Sequence, residues 1–250
     1  MKNPIHLRFN GNKISKYCIL PGDPGRCEII ANFLESPKLI GTNREYTIWN
    51  GTLDGNLVTV CSTGIGGPSA AIALEELVEA GAHTFIRVGT CGGIATKVMG
   101  GDCVIATAAV RQEGTSCEYA PIEYPAATDF RITSALAQAA LDLDLPHHIG
   151  VVQSKDSFYG QHAAERMPVS EQLLQKWEAW KRLGVLASEM ETAALATVAA
   201  SLGVSFSAVF LTLWNQERIK LGLSDAEVTD NTVAIKVAIE ALRKIIRTRL

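Results

Sequence analysis

An α/β fold in a single domain spanning residues 1–250 is predicted from three observations. Short apolar, β-branched runs alternate along the chain with stretches of helical periodicity, the pattern of a sheet whose faces are covered by helices. Glycine-rich turns recur at the ends of the strand-like runs. Nothing reads as a repeat, a low-complexity tract or a linker, so no boundary divides the chain.

The elements follow in order. Tyr17-Cys18-Ile19-Leu20 reads as a short buried strand entering the dense turn signal Pro21-Gly22-Asp23-Pro24. Residues 46–52 and 56–62 flank Leu53-Asp54-Gly55 as a hairpin. After Gly64-Ile65-Gly66-Gly67-Pro68, residues 69–80 show helical periodicity with Gly81 as the stop. Residues 84–88 form a buried strand run that Gly89-Thr90-Cys91-Gly92-Gly93 is expected to break. Strands are expected at 102–110, 148–153 and 206–213, and helices at 132–143 and 191–202, the last ended by Gly203. Residues 232–248 carry apolar side chains at helical spacing, with Lys and Arg in the last turns.

Composition narrows the function. Hydrophobic residues make up 47% and charged residues 20%, ordinary globular proportions that allow a sizeable core. The net charge is -3 and no Lys/Arg run tracks a phosphate backbone, which excludes a nucleic-acid polymer as partner. The first twelve residues lack the apolar stretch of a secretory signal, and no segment has the roughly 18–20 apolar residues of a membrane span. A cytoplasmic setting without membrane contact is expected. The six cysteines (18, 27, 61, 91, 103 and 117) form no C-x-x-C and have no His at zinc-ligand spacing, so inert thiols are expected.

Chemistry concentrates at strand ends, where open α/β sheets bind ligands. Arg26 follows the Pro-Gly turn, Arg44 precedes a strand, and Arg87 lies inside the apolar run Phe85-Ile86-Arg87-Val88. A buried guanidinium cannot shed its charge and needs a carboxylate or an anionic ligand. Two readings of Arg87 stand: a buried Arg–Glu pair, or an oxyanion site beside the backbone N–H groups of Gly89-Thr90. Gly22, between two prolines, lets backbone approach such a ligand. Glu189-Met190-Glu191, if extended, turns both carboxylates to one side just ahead of an almost wholly apolar helix. Such a pair accepts hydrogen bonds from adjacent hydroxyls and opposes positive charge on a sugar, although Glu191 alone could simply favour the helix N-terminus. Residues 155–162, Lys-Asp-Ser-Phe-Tyr-Gly-Gln-His, join aromatics to amine, amide and imidazole groups that suit a flat heterocycle, or an ordinary surface loop.

These motifs stand in one fixed order: Pro21-Gly22-Asp23-Pro24 with Arg26, then Arg44-Glu45-Tyr46, then the segment 62–69, then Arg87-Val88-Gly89-Thr90-Cys91-Gly92, then Glu189-Met190-Glu191. Together they resemble the nucleoside phosphorylase family, which includes uridine phosphorylases and hexameric purine nucleoside phosphorylases, over nearly the whole chain. Segments 62–69 and 156–159 look like the pyrimidine branch. The resemblance implies a phosphorylase/hydrolase-like fold, with a central mixed twisted sheet, partly barrel-like, flanked by helices. It implies phosphorolysis of uridine to uracil and ribose 1-phosphate, with inorganic phosphate as co-substrate and no required cofactor.

By the same resemblance Gly22, Arg26, Arg87 and Thr90 bind phosphate, joined by Arg44 from a neighbouring subunit. Thr90, Glu189, Met190 and Glu191 serve the ribose, with His6 of the neighbour reaching the 5′-hydroxyl. Gly92, Phe158 and Gln161 contact the base, and Glu45, Ile65 and Ser69 match a monovalent-cation site. The implied assembly is a hexamer built as a trimer of dimers. At the base the chain departs from enterobacterial relatives: Ala163 and Gln216 stand where they have arginines, and Lys155 where they have a small residue. Lys155 and His162 are therefore expected to supply the missing donors, and Arg87, Glu191, Lys155 and His162 form the catalytic set.

Rivals remain in view. The purine branch carries an acid that protonates N7, where this chain has Trp214-Asn215. A nucleosidase needs no anion site, yet three arginines are present; a non-catalytic binding protein would not need Glu191.

Overall fold

A computed structural model describes residues 4–9 and 11–248. Strand β1 (Tyr17–Pro21), buried throughout, ends in the Gly22 turn and helix α1 (Gly25–Ala31). Strands β2 (Glu35–Asn43), β3 (Tyr46–Leu53) and β4 (Asn56–Cys61) form an antiparallel meander. Its second turn takes positive φ at Asp54 and Gly55, the backbone that a two-residue hairpin of this sequence favours. Helix α2 (Gly67–Glu79) leads to β5 (Thr84–Gly93) and β6 (Cys103–Gln112). Next come α3 (Thr115–Tyr119), the two-residue β7 (Ala126–Ala127), α4 (Phe130–Asp142), β8 (His147–Lys155) and α5 (Phe158–His162). The chain closes with α6 (Ser170–Arg182), β9 (Ala187–Glu189), α7 (Thr192–Leu202), β10 (Ser205–Asn215), α8 (Gln216–Lys220) and α9 (Thr232–Thr248).

The strands form one mixed sheet in the order β10-β6-β8-β9-β5-β1-β4-β3-β2, with β7 against β6. Because β10 also pairs with β5, strands β10, β6, β8, β9 and β5 close into a ring. The predicted partly barrel-like mixed sheet is thus what the chain forms. Core packing is two-sided. Helices α2 and α7 cover one face, around Phe85, Leu74 and Leu195. Helices α1, α4 and α9 cover the other, around Ile86, Leu136 and Leu242. Alternation along β5 explains this, since successive side chains leave a strand on opposite faces. In α9, Ile235, Leu242 and Ile245 are buried at helical spacing, each contributing about 1.5–3 kcal/mol.

Two departures from the sequence reading concern the site. Strand β5 does not break at Gly89; it stays paired with β10 to Gly93. Glycine at 89 is a packing requirement, because a Cβ there would lie 2.7 Å from the Phe210 ring. Residues 155–162 are also not one loop: buried Lys155 ends β8, exposed Asp156 and Ser157 connect, and Phe158 begins a short helix. Helices α1 and α6 and strand β2 are not among the elements expected from the sequence; α6 buries none of its residues fully. Among the described residues no helix is long and apolar enough to cross a membrane.

Candidate active site

The C-terminal ends of β1, β5, β8, β9 and β10 open into one cavity of about 620 Å³. It is lined by most residues singled out from the sequence: Gly22, Arg26, Arg87, Thr90 and Gly92 on one side, and Lys155, Phe158, His162 and the Glu189–Glu191 triplet on the other.

The cationic corner comes from β1 and β5. Arg87 is 4% exposed; its Nη1 donates to Thr63 Oγ1 at 3.0 Å, its Nη2 donates to the Glu191 carboxylate, and its buried Nε has no partner among the described residues. A Cβ on Gly22 would come 3.3 Å from Arg87 Nη2, so glycine keeps this approach open. Arg26 joins from the first turn of α1, 4.0 Å from Asp23. Burial holds the Arg26 guanidinium below its ordinary range; Asp23 opposes this and Arg87 adds to it. Two like charges at one corner favour an incoming anion. The two readings of Arg87 therefore meet: its carboxylate partner is itself a wall of the cavity.

The carboxylate triplet is not the symmetrical pair expected. Glu189, 4% exposed, is turned into the protein, where it accepts from Ser154 Oγ, from Glu191 N at 2.9 Å and from Thr192 N at 3.0 Å. It thereby caps the backbone donors at the start of α7. Burial raises its pKa, and the neighbouring Glu191 adds to the rise. Glu191 takes the other direction: it accepts from Gly66 N at 2.6 Å and from Arg87. The chain bends after Glu189, which ends β9, so the extended geometry that would align both carboxylates is lost. Glu189, Met190 and Glu191 all line the cavity, but the Glu189 carboxylate is engaged by Ser154 and the start of α7, whereas that of Glu191 is held by Gly66 and Arg87.

At the far end Lys155 is 6% exposed, its Nζ donating to Ser188 Oγ at 2.6 Å. Burial pulls its ammonium down to about 8 against the opposing charges of Glu189 and Glu191. His162 packs against Phe158, ring centroids 4.3 Å apart, and lies 5.9 Å from the Trp214 ring. Burial and then the Lys155 charge keep its imidazole below the usual range, so its neutral form, with one N–H, prevails near pH 7. Gln161 is not brought into the cavity. Its side-chain amide lies 2.7 Å from Ser188 Oγ, and it lines an adjacent cavity of about 270 Å³.

His6 and Arg44 do not line the cavity of their own chain either. His6 Nδ1 lies 2.7 Å from Glu76 Oε1, and Arg44 occupies the β2–β3 turn with φ +53°. Glu45 and Ile65 line the cavity near its mouth, while the Ser69 hydroxyl donates to the Ile65 carbonyl at 3.2 Å. Cys91, in the cavity wall, is buried and its thiol is pushed up to about 12, so it stays protonated and unreactive. Ser188, Trp214 and the Gly66 N–H were not picked out as site groups from sequence. Gly66 sat in a legible motif and Trp214 beside the Asn215 position already weighed, whereas Ser188 carries no local signal at all.

Asn215, the position of the purine-branch acid, is wholly buried. Its Nδ2 donates to the carbonyls of Ala95 at 2.9 Å and Val98 at 2.8 Å, and its Oδ1 caps α8.

A site with an anion corner, a carboxylate and an aromatic, donor-bearing end defines a class, and the chain belongs to it: residues 16–248 match the model of the phosphorylase superfamily. The uridine phosphorylase of Treponema pallidum is 52% identical over 241 residues, covering 96% of this chain and 93% of that protein. That of Salmonella typhimurium is 38% identical over 247 residues, covering 97% and 98%. A guanosine phosphorylase of Halorubrum lacusprofundi is 40% identical over 209 residues, covering 84% and 82%.

Proposed function

We propose that this protein splits uridine with inorganic phosphate, giving uracil and ribose 1-phosphate. The observation that carries the reading is the succession of neighbours lining one cavity: Arg26 acts on Arg87, Arg87 bonds Glu191, Glu191 acts on Lys155, and Lys155 acts on His162, which packs on Phe158. That order matches phosphate, ribose and base in sequence. A phosphate oxygen attacks the anomeric carbon while the C1′–N1 bond breaks and its electron pair passes into the uracil ring. Arg26 and Arg87 position the nucleophile, and phosphate takes over hydrogen bonds that Arg87 now gives to Glu191. Glu191, so released, meets the ribose hydroxyls and the positive charge building on the sugar. The Lys155 ammonium and a His162 N–H disperse the negative charge on the base carbonyls.

Pyrimidine is favoured over purine because Asn215 has both its amide groups engaged by backbone and offers no proton to N7. The assembly is a homo-oligomer, a hexamer built as a trimer of dimers, in which neighbours lend His6 and Arg44. Arg44 sits at the first position of the two-residue hairpin between Asn43 and Tyr46, whose geometry accounts for its positive φ. Glu45, Ile65 and Ser69 offer a carboxylate, a carbonyl and a hydroxyl, an all-oxygen set suited to a hard monovalent cation. Uridine salvage would take place in the cytoplasm, which suits six free thiols.

The test is uracil release from uridine with and without phosphate. Release only with phosphate, and recovery of ribose 1-phosphate, are expected. Equal rates in phosphate-free buffer would instead establish a nucleosidase, and release of guanine in preference to uracil a purine enzyme.

A further inference from the structure

Behind Lys155 runs a chain of side-chain hydrogen bonds whose directions are fixed from one end. The Trp180 indole can only donate, and its Nε1 gives to Gln112 Oε1 at 2.9 Å. Gln153 Nε2 gives to the same oxygen at 2.8 Å, which leaves Gln153 Oε1 facing Ser188 Oγ at 2.5 Å. A hydroxyl has one proton, and here it goes to Gln153; Gln161 Oε1, 2.7 Å away, competes at the longer distance. The Ser188 lone pairs are thereby aimed at Lys155 Nζ, 2.6 Å away. Ser188 and Gln153 are each 2% exposed and are register partners on β9 and β8, so the sheet itself holds them.

We propose that Ser188 is a positioning residue for the reaction: it holds the Lys155 ammonium at the base end of the cavity and, by accepting from it, preserves its charge there. The inference rests on the reading that Lys155 serves the departing base. A four-carbon stem with a free end would sample several rotamers. The fixed hydroxyl selects one of them and leaves two ammonium protons for the substrate. Around that ammonium stand Glu189 on β9, Glu191 at the head of α7, Cys91 on β5 and His162 on α5. On its other side the adjacent cavity adds Asp156, Glu165, Lys176 and Lys220. Among the described residues none of these accepts a hydrogen bond from Lys155 Nζ; Ser188 supplies the directed one.

The experiment measures kcat, KM for uridine and phosphate, and the alkaline limb of kcat against pH, in the intact oligomer. The variants are Ser188→Ala, Ser188→Thr, Lys155→Ala and the Ser188→Ala/Lys155→Ala pair. Ser188→Ala is expected to lower kcat at least tenfold with phosphate KM unchanged, the usual scale for a hydrogen bond to a charged group. Its alkaline limb moves to lower pH, because losing an acceptor favours the neutral amine. Ser188→Thr, which keeps the hydroxyl, restores both quantities. The double variant is no slower than Lys155→Ala. Should the alanine variant be unstable, Ser188→Cys, a poorer acceptor of similar size, carries the same expectations. Wild-type turnover and pH limb in Ser188→Ala, with Lys155→Ala impaired, would overturn the inference alone; so would losses that multiply in the double variant. Wild-type turnover in Lys155→Ala would overturn the reading of the base end and this inference together.

Discussion

In the proposed reaction Lys155 and His162 do at the base what arginines would otherwise do, but with titratable groups. Burial holds Lys155 near 8, so its charge is present below that pH and lost above it. The dispersal of charge on the leaving uracil needs the ammonium. Wild-type kcat should therefore fall as pH rises through about 8. Lys155→Ala should lack that limb and turn over about a hundredfold slower at neutral pH, the scale of losing one donor to a charged transition-state oxygen. His162, held below its usual range, acts as a neutral donor, and His162→Ala should cost less, with phosphate KM unmoved in both variants. Turnover near wild type in both single variants would make Lys155 and His162 mere structural polar groups. Arg87 shows why some roles coincide: its bonds to Glu191 and Thr63 fit a stable buried pair and a phosphate binder equally well.

At the scale of elements, the junction of β9 and α7 does two jobs with adjacent carboxylates. Glu189 satisfies the backbone N–H groups of Glu191 and Thr192, leaving Glu191 free to point at the cavity. Glu189→Ala would leave those buried donors without partners, at about 1–3 kcal/mol. A lower thermal midpoint, by several degrees, is expected, together with loss of activity because the Glu191 backbone is set by that cap. An unchanged midpoint would mean that the cap is dispensable. The glycine segment 89–93 was expected to interrupt its strand on local propensity. It does not, because β10 lies alongside and the Phe210 ring fills the space a side chain would need. Helix α6 differs: its apolar positions, Leu173, Trp177 and Trp180, stand at helical spacing but are few and only half-buried, in a helix otherwise rich in polar residues.

For the whole molecule, the site as seen in one chain lacks two of its assigned residues. His6 is held by Glu76 and Arg44 by the β2–β3 turn, and neither lines the cavity of its own chain. Shared sites predict complementation. Arg44→Ala and Lys155→Ala chains, each strongly impaired, should recover activity when co-expressed, because a mixed interface builds one site with both residues intact. No recovery in oligomers shown to contain both chains would mean that each chain completes its own site.

The order of motifs along the chain was enough to read the α/β class, the family resemblance, the arginine corner and the Lys155–His162 end, since each depends on residue type at short spacing. Three matters were settled only by the tertiary structure. Ring closure of the sheet depends on β10 pairing with both β5 and β6, a contact across more than a hundred residues. The division of labour between Glu189 and Glu191 depends on a bend after Glu189. Placement of Gln161 against Ser188, rather than in the cavity, depends on a hydroxyl that β9 delivers from another part of the chain. Local periodicity reports which face of an element is apolar, whereas a hydrogen bond's direction depends on which distant partner has already taken the proton.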